Sequence, residues 1–356
     1  MKKNNYIAIM AGGVGSRFWP ASREALPKQF IDMLGMGRSL LQMTYDRFLP
    51  LIDNDNIYCV TNDAYIDLVG THLPQLPADN IIGEPSRNNT APSVLLTALL
   101  IAKKDPDAVI GFVPSDHLIV KDDYYRDLCE EAFNYAREND AIVTLGIQPS
   151  RPDTGFGYIH YDQEALQNSI HKVKAFTEKP ELAKAESFLA SGEYLWNAGM
   201  FFMSVKTLIN SYKTLAPELY EILAPITESS DVKRFILEQY PQTPNLSIDY
   251  AIIEKSGEVV TIPSDIGWSD LGTWASLFQE VKKDEHGNAI MSEHVILENV
   301  SNTLVKNNTN KLIILRDVQD LIIVEEEDVL MIYPMNKEQE IKQLGAKVKD
   351  KFDRYL

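Results

Sequence analysis

The sequence predicts an α/β fold: a mixed, mostly parallel sheet over residues 1–285, then a small β-rich region over 286–356 ending in a helix. Three observations predict it. Short continuous apolar runs alternate with helical patterns from Tyr6 to Leu145, which is the signature of βαβ units with both sheet faces covered. After about Gly287 the alternation stops and only short β-rich runs recur. The chain has 356 residues, 45% hydrophobic and 24% charged, which suits about two globular domains and excludes a disordered or fibrous chain.

The elements follow in order. Strands are expected at Tyr6–Met10, Ile57–Val60, Asn80–Gly83, Ala108–Val113 and Ala141–Leu145, with helices at Leu40–Leu49, Ala64–His72, Ala91–Lys103 and Tyr124–Glu138. Pro92 sits in the first turn of its helix, where proline is tolerated. The middle of the chain mixes strands at Gly157–Tyr161, Lys172–Phe176 and Gly199–Met203 with helices. The C-terminal runs are His294–Leu297, Thr303–Val305, Lys311–Leu315, Leu321–Val324 and Val329–Tyr333, with no strict repeat, and Asn336–Leu356 reads as a charged helix.

Charge narrows the function. The balance is 34 Lys+Arg against 51 Asp+Glu, a net of −17. Binding to nucleic acid or to an anionic membrane draws on Lys and Arg, so neither is expected as a partner. A local basic pocket is compatible with that total. The 2 cysteines, Cys59 and Cys129, form no metal-ligand spacing and read as reduced core residues, which points to a cytoplasmic protein. Lys2 and Lys3 precede an apolar stretch, Tyr6–Ala11, that is too short for a signal core, and no run is long enough to span a bilayer.

In a parallel sheet, ligands gather beyond the carboxyl ends of the strands. There the sequence places Ala11–Arg17, Glu84–Thr90, Pro114–His117 and Gly146. The first is the sharpest. Gly12, Gly13 and Gly15 follow a buried strand directly and lead through Ser16, Arg17 and Pro20 to Pro27 and Lys28. Glycine lets backbone N–H groups approach a phosphate, Arg17 can grip two of its oxygens, and Lys28 adds a point charge. The dinucleotide-binding glycine pattern fails at its last position, and the Gly-Lys-Ser/Thr ending of a Walker loop is missing.

This loop resembles the activation loop of the sugar-phosphate nucleotidyltransferases. Further stretches narrow the resemblance to the mannose-1-phosphate guanylyltransferases of bacteria. They are Glu84-Pro85 through Asn89-Thr90-Ala91-Pro92, Pro114-Ser115-Asp116-His117, Thr154 through Ile159, Phe176 through Pro180, Trp196 through Phe201, Ser247 through Ala251, and Gly267 through Trp274. The order covers roughly residues 6 to 280. The resemblance implies a Rossmann-like nucleotidyltransferase domain and a β-helix-like C-terminal region. It implies GTP and mannose 1-phosphate as substrates, and GDP-mannose and diphosphate as products. Gly12, Gly13, Gly15, Ser16, Arg17 and Lys28 would cradle the phosphates. Glu84, Asn89 and Thr90 would lie at the guanosine. Gly146, Tyr158, Glu178, Asn197 and Gly199 would line the mannose, and Lys179 would neutralise its phosphate. Asp116 and Asp270 would hold Mg²⁺, and with Arg17 and Lys28 they form the expected catalytic set. On residue type alone, each Asp reads as a turn or cap residue.

Two positions depart from the family. Asn88 stands where a basic residue is common, with Arg87 one step earlier, and Phe156 stands where a Tyr is common. Trp196, Trp268 and Trp274 read as packing residues, Asp249 as a helix-start residue, and Glu325–Asp328 as a solvated turn. The apolar C-terminal strands point to a homodimer. Other readings are a different sugar or nucleotide specificity, or a non-catalytic nucleotide-sugar sensor.

Overall fold

The computed structural model describes residues 4–355. Lys2 and Lys3, and Leu356 of the expected tail helix, lie outside the described residues. The fold comprises two compact units, each assembled from separated stretches of chain. The first holds the chain through Gly12, Tyr45–Ser115 and Ile119–Trp268. The second holds Gly13–Thr44, Asp116–Leu118 and the chain from Ser269 on.

The first unit is built on a nine-stranded mixed sheet. Its order is Ile81–Glu84, Ile57–Asn62, Asn5–Met10, Val109–Pro114, Tyr194–Ser204, Ile142–Ile147, Val259–Ser264, Ile170–Thr177 and Tyr158–Gln167. The first four are parallel, with Ile7 opposite Ile57 and Asn5 opposite Val109. The Tyr194–Ser204 strand runs antiparallel to both of its central neighbours. That strand starts earlier than the expected Gly199, because Asn197 and Gly199 interrupt the β-rich composition without ending the pairing.

Each expected strand of the first half forms, because each is an apolar run bounded by turn residues. Helix Thr90–Lys104 lays Val94, Leu95, Ala98 and Leu99 on a cluster containing Tyr6, Ala8, Ile110 and Phe112. Full burial of such a side chain contributes roughly 1.5–3 kcal/mol. Cys59 and Cys129 are buried free thiols, each pushed up to about 12 by burial. Among the described residues, no helix is long and apolar enough to cross a membrane.

The second unit corrects the expectation of no strict repeat. Val295 pairs with Ile313 and Leu304 with Ile322 in parallel register, and three polar ties join residues 18 apart. Asn299 reaches Asp317 and Asn308 reaches Glu326, each at 2.7 Å, and Asn302 reaches Asp320. The corners fall on Asn299, Asn302, Asp317 and Asp320, all at φ between 49° and 57°. Asn and Asp tolerate that left-handed conformation, so a polar pattern carries the repeat as much as the apolar one does. Inside, Leu304, Ile322 and Val324 share one core with Phe18, Trp274 and Ile341. The tail forms a 3₁₀ segment, Met335–Glu340, then helix Ile341–Phe352.

The expected solvated turn at Glu325–Asp328 is corrected at Glu325 alone. It is a turn with Glu327 and Asp328 exposed, but two of its charges are paired. Glu325 is buried and pairs with Lys311, and Asp328 takes both arms of the Arg23 fork. The partner Arg23 lies 305 residues away, which local composition does not reveal.

Candidate active site

The second unit carries the glycine loop with its basic residues and both expected metal carboxylates. Gly15 has φ 76° and ψ 38°, the left-handed region that glycine enters without penalty. A Cβ on Gly15 would stand 2.5 Å from the Cβ of Lys28, so glycine is required twice over. The loop closes on itself: Lys28 N–H donates to Val14 O at 3.1 Å, Ser22 Oγ to Val14 O at 2.5 Å, and Gln29 Nε2 to Gly13 O at 2.9 Å.

The Lys28 side chain is 4% exposed and its Nζ bridges two residues. It donates to Asp116 Oδ2 at 3.0 Å and to the main-chain carbonyl of Asp270 at 2.9 Å. Burial pushes the Asp116 carboxyl up, but the Lys28 and His117 charges outweigh it and hold the group below its ordinary value. The Asp270 carboxylate lies where a Cβ on Gly272 would stand 2.3 Å away, so that glycine clears its space. Arg17 and Ser16 are exposed, and Arg17 has no ion-pair partner among the described residues. Asp116 and Asp270 are hard oxygen donors. Mg²⁺ is usually held by one or two carboxylates plus substrate phosphates, so the donor set fits that ion.

The second unit fixes this loop from its β-rich coils and tail. Arg23 donates to Asp328 through two nitrogens, at 2.8 and 2.5 Å, and to Pro20 O at 2.9 Å. Buried Lys306 donates to Asp32 O at 3.1 Å, and Trp19 Nε1 to Tyr355 O at 3.0 Å. Trp274, fully buried, packs edge-on against Phe18 and donates to Trp19 O at 3.3 Å, as expected of a packing residue.

The first unit carries the residues expected at base and sugar. Gly12 follows the Asn5–Met10 strand, and a Cβ there would lie 3.6 Å from Glu84 Oε2. Glu84 is 8% exposed and ends its strand. Burial raises its pKa against the counter-pull of hydroxyls from Ser93 and Tyr240. Asn89 caps helix Thr90–Lys104 with its own side chain, and Thr90 Oγ1 accepts from Ile248 N–H at 2.9 Å. Arg87 turns to the Tyr65 hydroxyl at 2.9 Å, while Asn88 holds the Tyr240–Thr243 turn.

At the sugar group, Asn197 is wired on three sides. Its Oδ1 accepts from Gly199 N–H at 3.0 Å and Thr144 Oγ1 at 3.3 Å, and its Nδ2 donates to Asp249 Oδ1 at 3.1 Å. Gly199 has φ 69°, and Gly146 has no room for a Cβ, which would meet Leu195 at 2.5 Å. Lys179 Nζ donates to Glu178 Oε1 at 2.6 Å and remains largely exposed, while the Glu178 side chain is 8% exposed. Gly157 clears the place of Glu178 Oε2, 2.5 Å from where its Cβ would be. Tyr158 is fully buried and gives its hydroxyl to Asp153 O at 2.9 Å, so its free chemistry is its backbone.

Three residues here had no site role in the sequence reading. Asp249 holds Asn197 and is pushed up to about 6, first by burial and then by the Glu178 charge. Its signal was present, in the Ser247–Ala251 stretch. Ser93 and Tyr240 had none, being 9 and 156 residues from the carboxylate they serve.

Comparison with known proteins shows the family of the chain. The Nucleotidyl transferase family matches residues 7–287. A mannose-1-phosphate guanylyltransferase of Klebsiella pneumoniae is 36% identical over 94% of this chain and 72% of its own length. One from Escherichia coli K12 is 33% identical over 97% and 73%. A solved structure from Thermus thermophilus, described as a mannose-1-phosphate geranyltransferase, aligns with TM-score 0.88 at 26% identity, covering 97% of this chain and 99% of its own. The chain therefore belongs to the nucleotidyl transferase family and, within it, to the mannose-1-phosphate guanylyltransferases.

Proposed function

We propose that this chain transfers GMP from GTP to α-D-mannose 1-phosphate, giving GDP-mannose and diphosphate. A phosphate oxygen of the sugar attacks the α-phosphorus in line and diphosphate leaves. Both reactants are anions, so the task of the protein is positioning and charge neutralisation rather than covalent catalysis. In the second unit, the Gly13–Ser16 backbone and the free guanidinium of Arg17 would take the triphosphate oxygens. Lys28, pinned at 3.0 Å to Asp116 and 2.9 Å to Asp270, supplies a fixed positive charge with little rotamer freedom left to lose. In the first unit, Gly12, Glu84, Asn89 and Thr90 would serve the guanosine. Gly146, Tyr158, Glu178, Asn197 and Gly199 would serve the mannose, and Lys179 its phosphate.

Asp116 and Asp270 would hold Mg²⁺, which when bound neutralises phosphate charge and orients oxygens for displacement. The single observation that carries this reading is the Lys28 node, which ties both carboxylate-bearing residues to the glycine loop. Two finer points go with it. The reaction belongs in the cytoplasm, supported by two buried free thiols. A homodimer is supported by exposed Ile296, Leu312, Ile314, Leu330 and Ile332 on the C-terminal coils. A monomer by light scattering at micromolar concentration sinks the dimer.

The deciding experiment is diphosphate release by purified protein with Mg²⁺, across four nucleoside triphosphates and both mannose and glucose 1-phosphates. Release only with GTP and mannose 1-phosphate is expected. Release with another pair overturns the substrates but keeps the chemistry. Binding of GTP without release from any pair favours a sensor.

A further inference from the structure

The first unit contains a buried carboxylate whose two oxygens are treated differently. Oε1 of Glu84 accepts from Ser93 Oγ and from the Tyr240 hydroxyl, which lie 3.2 Å from each other. A carboxylate oxygen offers about two lone-pair sites, so Oε1 is filled. Oε2 accepts from no donor among the described residues and looks onto the backbone of Gly12.

Tyr240 is itself immobilised. It is fully buried, and Asn88 Nδ2 donates to its carbonyl at 3.1 Å and to Thr243 O and Oγ1 at 2.9 and 2.8 Å. The chain beyond it stays laced to the same loop: Leu246 N–H donates to Asn88 O at 3.2 Å, and Ala91 N–H to Leu246 O at 3.0 Å. Asn88 thus acts on the site through Tyr240.

We propose that Tyr240 is a positioning residue for base specificity: with Ser93 it commits Oε1 of Glu84 and leaves Oε2 as a dedicated acceptor for a purine that presents adjacent ring and amino N–H donors. Guanine has that edge. Adenine presents a bare ring nitrogen there, and two acceptors facing each other repel, so the same oxygen selects against it. The proposal rests on the reading that Glu84 serves the base.

The test uses the full chain and three variants: Tyr240→Phe, Ser93→Ala and Glu84→Gln. Calorimetry gives Kd for GTP and ATP, and diphosphate release gives kcat and KM. Loss of the hydroxyl that pre-organises Glu84 predicts that Tyr240→Phe weakens GTP about tenfold and ATP less than about twofold, with the loss in KM rather than kcat. An equal effect on both nucleotides, or an unchanged GTP Kd, overturns the proposal. If Glu84→Gln abolishes the preference for GTP while Tyr240→Phe leaves it intact, only the role of Tyr240 fails. If Glu84→Gln itself leaves the preference intact, the placement of the base fails too. Should Tyr240→Phe not fold, Ser93→Ala removes the other hydroxyl from the same oxygen and carries the same prediction.

Discussion

Replacing Gly15 by alanine tests how tightly the phosphate loop is built. The backbone there has φ 76°, where an L-residue with a side chain pays roughly 1–2 kcal/mol. The added Cβ would stand 2.5 Å from Lys28 Cβ and 3.3 and 3.4 Å from its Cδ and Cγ. Carbon atoms prefer about 3.5–4.0 Å, so something must move by about 1 Å. Overpacking of that kind adds roughly 1–3 kcal/mol. The sum is about 2–5 kcal/mol, which at roughly 2–4 °C per kcal/mol lowers Tm by about 4–20 °C.

The functional loss is larger than the stability loss. Lys28 sits 3.0 Å from Asp116 and 2.9 Å from the Asp270 carbonyl, and a shift near 1 Å breaks both. Misplacement on that scale costs about a hundredfold in turnover. The assay pairs scanning calorimetry with kcat/KM for GTP. Gly13 supplies the contrast, since a Cβ there meets nothing within 4 Å: Gly13→Ala should hold its Tm. A Gly15→Ala protein within about 2 °C and threefold of wild type refutes the packing argument.

Other perturbations follow from the same contacts. Asp116→Ala removes the carboxylate that faces buried Lys28, and turnover at saturating Mg²⁺ should fall by at least about a hundredfold; a few-fold change means Asp116 holds no metal. Asp249 has a folded pKa of about 6 against an ordinary 3.8, so its ionisation costs stability as pH rises through that window. Asp249→Asn, which can still accept from Asn197, should therefore exceed wild type by on the order of 2 kcal/mol above about pH 6 and lose that advantage below about pH 4; a difference that is flat with pH contradicts the burial argument. The Arg23–Asp328 fork has an Asp side chain 45% exposed, so a double-mutant cycle in urea should give a coupling of only about 0.5–1 kcal/mol, and a coupling of zero means the fork is incidental.

Much of the fold is legible because it rests on local signals. Tyr6–Met10, Val109–Pro114 and Ile142–Ile147 are apolar runs buried on both faces, and period and composition reveal such strands directly. The glycine loop is legible because its residue types are unusual where they stand. What stays hidden depends on long-range pairing. Asp328 reads as a surface charge until Arg23 is placed beside it, and Tyr240 reads as an ordinary aromatic until its hydroxyl meets Glu84. The 18-residue period is masked because its matched positions exchange Asn for Asp and Val for Ile, keeping the physics while changing the letters.

The order in which a ribosome makes this chain gives the clamped loop a temporal meaning. Residues 13–32 are made early. Three of the groups that hold the loop, Lys306, Asp328 and Tyr355, are made hundreds of residues later. A nascent chain that has finished its large sheet still lacks those restraints, and triphosphate would meet an unsupported glycine loop. Competence should therefore arrive late and nearly at once with the final turns of helix. A chain cut short near residue 300 lacks all three of those restraints.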